Sequence, residues 1–295
     1  MNSALKIGAI SGLIAGIIFG IATTVFCNMA VSLGLYEPYF RILVTNNVAV
    51  NIPLGIIWGI IFGIIYSRVY NLIPRKGVWK GLIYGLFLYF IIIIRLVTFN
   101  LAYGRVLTAA GNTLDFFSWL SFGLVLGILY RFLSDRYYPA KEEPKIITYD
   151  VKSGILPGAI AGFCNGMASS VVSVMGPAMG LWTLGVPVRL TFDFWMGQAG
   201  AHIFLNMIWG TLFGFMFPKV YSLVPGRGVR KGLSYGLILF SITSFQLGSM
   251  FVPWSIFHEL WQLVPFFVGA TWLVGVAGYT AYGLVLGALY RKPSD

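Results

Sequence analysis

The longest uncharged stretch of the sequence constrains the fold more than any other feature. Residues 7–36 form a run of 30 positions without one Asp, Glu, Lys or Arg. A helix that crosses a bilayer needs roughly 20 consecutive apolar residues. Across the whole chain 58% of residues are hydrophobic and 10% are charged, against about 25% charged residues in soluble domains. The sequence therefore predicts a multi-pass protein of the lipid bilayer.

The apolar runs are typical of helices rather than of barrel strands. Backbone N–H and C=O groups have no water partners in lipid, so a spanning segment is a helix or a strand of a closed barrel. Barrel strands alternate apolar with polar side chains, whereas these runs are apolar throughout. The expected fold class is all-α. Eight transmembrane helices are predicted, near residues 7–33, 48–72, 81–103, 114–133, 153–180, 198–222, 232–253 and 270–290.

Glycines recur every four residues in the first predicted helix of each half. This spacing places them on one face of the helix and leaves a strip of bare backbone. Such a strip lets a second helix approach closely, and close packing drives helix association in lipid, where no hydrophobic effect acts between helices. The two predicted packing strips are Gly8, Gly12, Gly16 and Gly20, and Gly154, Gly158, Gly162 and Gly166.

The two halves of the chain resemble each other. Residues 58–88 align with residues 209–239 at a constant offset of 151, and 17 of the 31 positions are identical. A tandem duplication explains a match of this length. The predicted organisation is a first four-helix repeat over residues 1–133, a cytoplasmic linker over residues 134–150, and a second four-helix repeat with larger extracytoplasmic loops over residues 151–295.

Positive charge predicts the orientation. Lys and Arg concentrate in cytoplasmic loops, and 16 of the 20 Lys and Arg residues fall on one side of the predicted helices. The other side has Arg41, Arg105 and Arg189, and Arg95 lies within a helix. Both termini are therefore expected in the cytoplasm. An even number of helices in each half makes the repeats parallel. The net charge of +11 is explained by the Lys and Arg residues of the cytoplasmic loops, and no nucleic-acid partner is expected.

Arg95 is the most unusual residue of the predicted spans. It follows four consecutive isoleucines and lies 15 residues after Lys80, which places it about 22 Å across a core of about 30 Å. One interpretation is that its side chain extends to the outer surface. The other is a buried cation that faces the bundle and either binds an anionic group or pairs with one of the outer acids. The candidate acids are Glu37, Asp115, Asp193 and Glu259.

A polar cluster is predicted near the outer end of the helices. His202 and Asn206 are four residues apart and share a helix face. The first interpretation of such groups is hydrogen bonding between helices, and the second is a binding site for a substrate. Two histidines without metal-ligand spacing argue against a metal site, and no cofactor is expected. The candidate ligand-binding residues are Arg95, His202, Asn206, Gln246, Asn51 and Asn100.

Basic residues recur in the loop before the third helix of each half. The first interpretation is a topology signal with a tight turn. The second is binding of lipid headgroup phosphates by the basic side chains and by the N-terminus of the following helix. The candidate headgroup residues are Arg75, Lys76, Lys80, Arg227, Arg230 and Lys231.

The second half also has longer outer segments. Residues 255–266 have apolar side chains at helical spacing, which predicts an interfacial helix, and residues 182–195 are interpreted as an outer loop. Together these segments predict an extracytoplasmic cap for a ligand or for another membrane protein. Cys27 and Cys164 lie in apolar segments and are interpreted as small packed residues rather than as a disulfide.

The motifs of the helices resemble a known family. Gly-x-x-Ala-Gly in the first helix, Trp-Gly-x-x-Phe-Gly in the second, Lys-Gly-Leu-x-Tyr-Gly-Leu in the third and Tyr-Gly-Leu-Val-Leu-Gly in the last are similar to a family of small four-helix prokaryotic membrane proteins of unknown function. The resemblance implies a fusion of two such units. Members often have His at the outer end of the second helix, where this chain has Asn51 and His202, and early in the fourth helix, where it has Trp119 and Tyr279.

Three functions follow as hypotheses. The sequence has no nucleophile–base pair and no nucleotide fingerprint, so the first is an accessory or scaffold subunit of a membrane complex. The second is a small-molecule or ion transporter or channel with a path between the two repeats, which Arg95, Asn165, Asn206 and Gln246 favour because they are polar for their depth. The third is a lipid-modifying enzyme that uses the outer polar cluster.

Overall fold

The fold is helical. A computed structural model describes residues 3–36, 48–102, 106–137, 150–179, 188–245 and 272–290, and all regular structure in these ranges is helical. This confirms the predicted all-α fold class. Within the same ranges, six helices are long and apolar enough to cross a membrane, as a multi-pass membrane protein requires. The chain divides into two compact units, Met1–Ile146 (unit 1) and Ile147–Asp295 (unit 2).

Unit 1 is a bundle in which α1 packs on α2 and on α6, and α3 packs on α6. Its described helices are α1 (Ser3–Ser32), α2 (Val48–Val69, followed by a 3₁₀ turn Tyr70–Leu72), α3 (Val78–Tyr89, followed by a π-helical turn Phe90–Ile94), α4 (Arg95–Ala102), α5 (Val106–Thr113) and α6 (Phe116–Tyr137).

Unit 2 is a bundle in which α7 packs on α8 and on α10, and α9 packs on α10. A 3₁₀ turn Val151–Gly154 comes first. The described helices are α7 (Ile155–Ala178), α8 (Val188–Val220), α9 (Val229–Phe240, followed by a π-helical turn Ser241–Phe245) and α10 (Val274–Leu289). The last two predicted spans and the predicted interfacial helix extend into residues outside the described ranges.

Three boundaries differ from the sequence prediction. Residues 106–113 form α5, where the sequence prediction had only a connection between the spans 81–103 and 114–133. Helix α6 extends to Tyr137 and so takes the first residues of the predicted linker, where Arg131 and Asp135 form an i,i+4 ion pair at 3.6 Å. Helix α8 begins at Val188, inside the predicted outer loop, directly after a proline in the sequence, and proline favours a helix start.

Both glycine strips pack against a helix of their own unit. In unit 1 the strip on α1 faces glycines of α2, and a methyl group placed on Gly63 would lie 2.7 Å from Cα of Gly12. In unit 2 the strip on α7 faces α8 in the same way, and a methyl group on Gly162 would lie 2.9 Å from Cα of Gly210. These distances leave no room for a side chain, so the helices meet backbone to backbone.

Aromatic side chains fill the space between the helices of unit 1. Trp119 of α6 has 1% of its surface exposed. Its ring lies 4.7 Å from the ring of Phe19 and 5.7 Å from the ring of Phe62, between centroids. Such tilted aromatic pairs contribute about 0.5–1.5 kcal/mol beyond their buried area. This packing fixes the start of α6, where the candidate site lies.

Candidate functional site

The predicted ligand-binding residues fall in both units. Arg95, Asn51 and Asn100 belong to unit 1, His202 and Asn206 belong to unit 2, and Gln246 lies outside the described residues. Each group is therefore built from the helices of its own unit.

Asn51 joins α2 to α1. Its side chain is 3% exposed, and its Nδ2 donates to Thr24 Oγ1 at 3.0 Å. The Thr24 hydroxyl in turn donates to the backbone oxygen of Gly20 at 2.9 Å. The amide thus links the two helices at the end of the glycine strip.

His202 joins α8 to α7 in unit 2. Its Nε2 lies 2.8 Å from Ser169 Oγ. The Ser169 hydroxyl also lies within hydrogen-bond distance of the backbone oxygens of Asn165, at 2.7 Å, and of Gly166, at 3.2 Å. Asn206 is 2% exposed and donates to the backbone oxygen of His202 at 2.9 Å.

The same end of unit 2 has further buried polar groups. Thr243 Oγ1 lies 2.7 Å from the Tyr279 hydroxyl and 2.8 Å from the backbone oxygen of Leu239, both within hydrogen-bond distance. The Asn165 side chain packs directly against Gly278. A side chain in place of the hydrogen of Gly278 would clash with Asn165. The polar core of unit 2 is therefore largely hydrogen-bonded within itself.

Arg95 is the first residue of α4, directly after the π-helical turn. Its side chain is half-buried. A π turn inserts one extra residue and rotates the chain that follows, and such turns are frequent at functional sites. Asn100, on the same helix, is 5% exposed and donates to the backbone oxygen of Leu96 at 3.0 Å.

Asp115 is the acid at the start of α6. Trp119 Nε1 donates to its Oδ2 at 3.2 Å. The hydroxyls of Thr23 and Ser118 lie beside the carboxylate, but Oδ1 and both hydroxyl oxygens are buried without a hydrogen bond of good geometry. We call these three residues, Asp115, Thr23 and Ser118, the Asp115 pocket. Within the part of the chain that the structure describes, Asp115 and Arg95 do not form an ion pair.

Tyr36 follows α1 and is buried at the same end of unit 1. Its side chain is 5% exposed, and its hydroxyl donates to Asn112 Oδ1 at 3.5 Å. Burial is the largest cause that raises the pKa of the Tyr36 phenol above its usual range, and repulsion from the nearby Cys27 and Asp115 side chains, in their ionised forms, raises it further. The phenol therefore stays protonated at neutral pH and remains a hydrogen-bond donor.

Two of the six candidate headgroup residues bind the C-terminal end of the helix that precedes them. Lys80 Nζ donates to the backbone oxygen of Tyr70 at 2.9 Å and lies 3.8 Å from the centre of its ring. Lys231 Nζ donates to the backbone oxygen of Tyr221 at 2.7 Å and lies 4.0 Å from its ring centre. Cations at a helix C-terminus satisfy its last carbonyls. The exposed members of the predicted set are Arg75, Lys76, Arg227 and Arg230.

The sequence interpretation missed the hydroxyl groups. Ser and Thr within apolar segments were expected to bond to their own helix backbone, and Thr24 does so. Thr23 and Ser118 do not. The available signal was position, because Thr23 follows Gly20 by three residues and continues the face of the glycine strip.

These features define a class: a helical, multi-pass membrane protein. In each of its units two helices pack together at glycines, and polar side chains are buried between the helices. No protein-family model, no curated protein and no solved structure matches this chain.

Proposed function

We propose that the protein is a multi-pass transporter or channel for a small polar or cationic solute. The supporting observation is that polar side chains within the candidate spans are buried inside each unit. Polar side chains at bilayer depth often mark a substrate or ion pathway, and hydrogen bonds between helices also use them. The buried polar residues are Ser11, Thr23, Thr24, Asn51, Asn100 and Ser118 in unit 1, and Asn165, Ser169, Ser170, Ser173, Asn206 and Thr243 in unit 2.

The proposed architecture is eight membrane-spanning helices in two parallel four-helix repeats, in a cell membrane, with both termini cytoplasmic. Matching contacts 151 residues apart support it. Tyr84 donates to the backbone oxygen of Phe62 at 3.0 Å, and Tyr235 to that of Phe213 at 2.9 Å. The resemblance to a small four-helix family belongs to the same proposal, with one family unit in each repeat. The path between the repeats stays a prediction.

A flux assay tests the transport proposal. The full chain is reconstituted into liposomes, and their volume recovery after osmotic shock is followed by light scattering with NaCl, KCl or glycerol outside. We expect faster recovery than in protein-free liposomes for at least one of these probes, and loss of the difference in the Asn51→Leu and Asn206→Leu variants. Equal rates with and without protein for every probe would count against transport.

One observation favours a second candidate, an accessory subunit that binds another membrane protein. Exposed methionines lie on one face of α7 and directly after its end, at spacings of eight and four residues, with Met167 43%, Met175 53% and Met179 66% exposed. Methionine adapts to varied partners. The glycine strips support this candidate less than the sequence suggested, because both strips contact helices of their own unit. Native mass spectrometry after gentle extraction would detect a partner at fixed stoichiometry.

A further inference from the structure

We infer that the Asp115 pocket binds one monovalent metal cation of the sodium type. The inference deepens the proposed function and rests on it for its physiological role, because it names the ion that the buried polar end of unit 1 is built to hold.

The first argument is the number of unsatisfied oxygen atoms at one place. Asp115 Oδ1, Thr23 Oγ1 and Ser118 Oγ are all buried without a hydrogen bond of good geometry. Thr23 is 4% exposed and Ser118 is 0% exposed, and both hydroxyls lie beside the carboxylate. Buried polar atoms nearly always have partners. A bound cation would accept lone pairs from all three oxygens at once, whereas a proton on Asp115 would join only two of them.

The second argument is the contrast with the nearest hydroxyl groups on the same helices. Ser121, three residues after Ser118 on α6, donates to the backbone oxygen of Phe117 at 2.8 Å. Thr24, next to Thr23 on α1, donates to that of Gly20 at 2.9 Å. This backbone bonding is the usual state of Ser and Thr in a helix. Because Thr23 and Ser118 do not adopt it, their oxygens remain available as ligands.

The third argument is charge and donor type. The pocket has one carboxylate, so a monovalent cation leaves it neutral, whereas a divalent ion would leave a net positive charge where charge is expensive. Carboxylate and hydroxyl oxygens are hard ligands, which suit alkali and alkaline-earth ions better than softer transition metals. In the described ranges, no group of three or more His, Cys, Asp and Glu side chains comes together, so a softer ion has no matching site there.

The fourth argument is that the carboxylate is already positioned. Trp119 Nε1 holds Oδ2 at 3.2 Å, which leaves Oδ1 directed to the pocket. Asp115 also directly precedes α6, and the N-terminal end of a helix stabilises a negative charge. A fixed, negatively charged oxygen needs little reorganisation when a cation arrives.

The test is equilibrium binding of radioactive sodium to the purified full chain in detergent, at constant ionic strength with choline as the replacement cation. We expect saturable binding of one sodium ion per chain and its loss in Asp115→Asn. Ser118→Ala should weaken binding about tenfold or more, because it removes an oxygen ligand of a charged group. The matched control is Ser121→Ala, whose hydroxyl bonds to its own helix, and its affinity should stay within about twofold of the wild type.

The outcomes separate this inference from the proposed function. A folded wild-type chain that binds neither sodium nor potassium overturns the inference, and so does equal weakening in Ser118→Ala and Ser121→Ala. Displacement of bound sodium by protons alone, with no potassium or lithium competition and no Ser118 effect, would make Asp115 a proton site and also overturn it. Sodium binding without flux in liposomes would instead sink the transport proposal and leave the site intact. If Asp115→Asn fails to fold, the comparison of Ser118 with Ser121 still decides.

Discussion

The indole N–H of Trp119 donates to the carboxylate of Asp115 across 3.2 Å, one helical turn along α6. The ring of the same tryptophan packs on Phe19 and Phe62. The Trp119 side chain therefore connects the aromatic core of unit 1 to Asp115. A substitution of Trp119 affects both the packing of the core and the position of the carboxylate.

Trp119→Phe should destabilise unit 1 by about 2–4 kcal/mol, because it removes a hydrogen bond to a charged group and leaves a cavity in the core. The measurement is unfolding in mixed micelles, followed by circular dichroism. A double-mutant cycle with Asp115→Asn isolates the hydrogen bond, and the coupling should be about 1.5–3 kcal/mol. A coupling near zero would mean that the ring matters only through its packing.

The buried phenols of unit 1 provide a second prediction. Tyr66 is 0% exposed, and its hydroxyl has no hydrogen-bond partner among the described residues. Tyr66→Phe should leave stability unchanged or raise it by up to about 1 kcal/mol, because an unsatisfied buried group is removed. Phe217, at the aligned position of unit 2, already lacks this hydroxyl.

The matched control is Tyr84→Phe. Its ring lies 5.1 Å from that of Tyr66, and its hydroxyl donates to the backbone oxygen of Phe62 at 3.0 Å. This variant should lose about 1 kcal/mol in the same unfolding assay. A larger loss at Tyr66 than at Tyr84 would contradict the hydrogen-bond assignment of both residues.

The sequence predicted those features of the fold that depend on periodicity and composition. Long apolar runs require helices in lipid, and four-residue spacing places Gly8, Gly12 and Gly16 on one face. These are local properties, so one sequence suffices to find them. Hydrogen bonding between helices was one of the two interpretations of Asn51 and His202, and each bonds to a hydroxyl on the neighbouring helix.

The Asp115 pocket depends on contacts between helices and could not be predicted in the same way. Thr23 and Asp115 are 92 positions apart, and their meeting requires the packing of α1 on α6. The π-helical turn before Arg95 was missed for a related reason. Four isoleucines in sequence indicate a regular helix, and the extra residue that rotates α4 has no composition signal.

A third prediction concerns the close approach of α1 and α2. A methyl group on Gly63 would lie 2.7 Å from Cα of Gly12, so Gly63→Ala should separate the helices and cost about 1–3 kcal/mol. Gly200→Ala is the control, because no atom of the described residues lies within 4 Å of the added carbon. That variant should be neutral or slightly stabilising, since alanine favours helix. Similar losses in both variants would contradict backbone packing at the strip.

A fourth prediction concerns the bond between His202 and Ser169, whose atoms lie 2.8 Å apart. In a double-mutant cycle of His202→Phe and Ser169→Ala, the coupling should be about 0.6 kcal/mol and at most about 1.7 kcal/mol, the range of hydrogen bonds between helices in membranes. The cycle is measured by unfolding in mixed micelles. Strict additivity of the two single changes would show that the pair does not stabilise unit 2.

The last prediction separates the two interpretations of the basic loops. Lys80 donates to the backbone oxygen of Tyr70 and lies over its ring, whereas Lys76 is exposed. Lys80→Gln should therefore destabilise unit 1 by about 1–2 kcal/mol, through loss of a charge-assisted hydrogen bond and a cation–π contact. Lys76→Gln should change stability by less than about 0.5 kcal/mol.

Lipid binding should follow the opposite order. An exposed cation near a membrane surface contributes about 1 kcal/mol of attraction to anionic headgroups, so Lys76→Gln should reduce the anionic lipid that co-purifies with the protein. Lys80→Gln should change it little, because the Lys80 ammonium group already contacts Tyr70. Quantitative lipid mass spectrometry of the two variants, beside their unfolding curves, makes the comparison. If Lys80→Gln removes the lipid and leaves stability intact, Lys80 is a headgroup ligand and not the cap of α2.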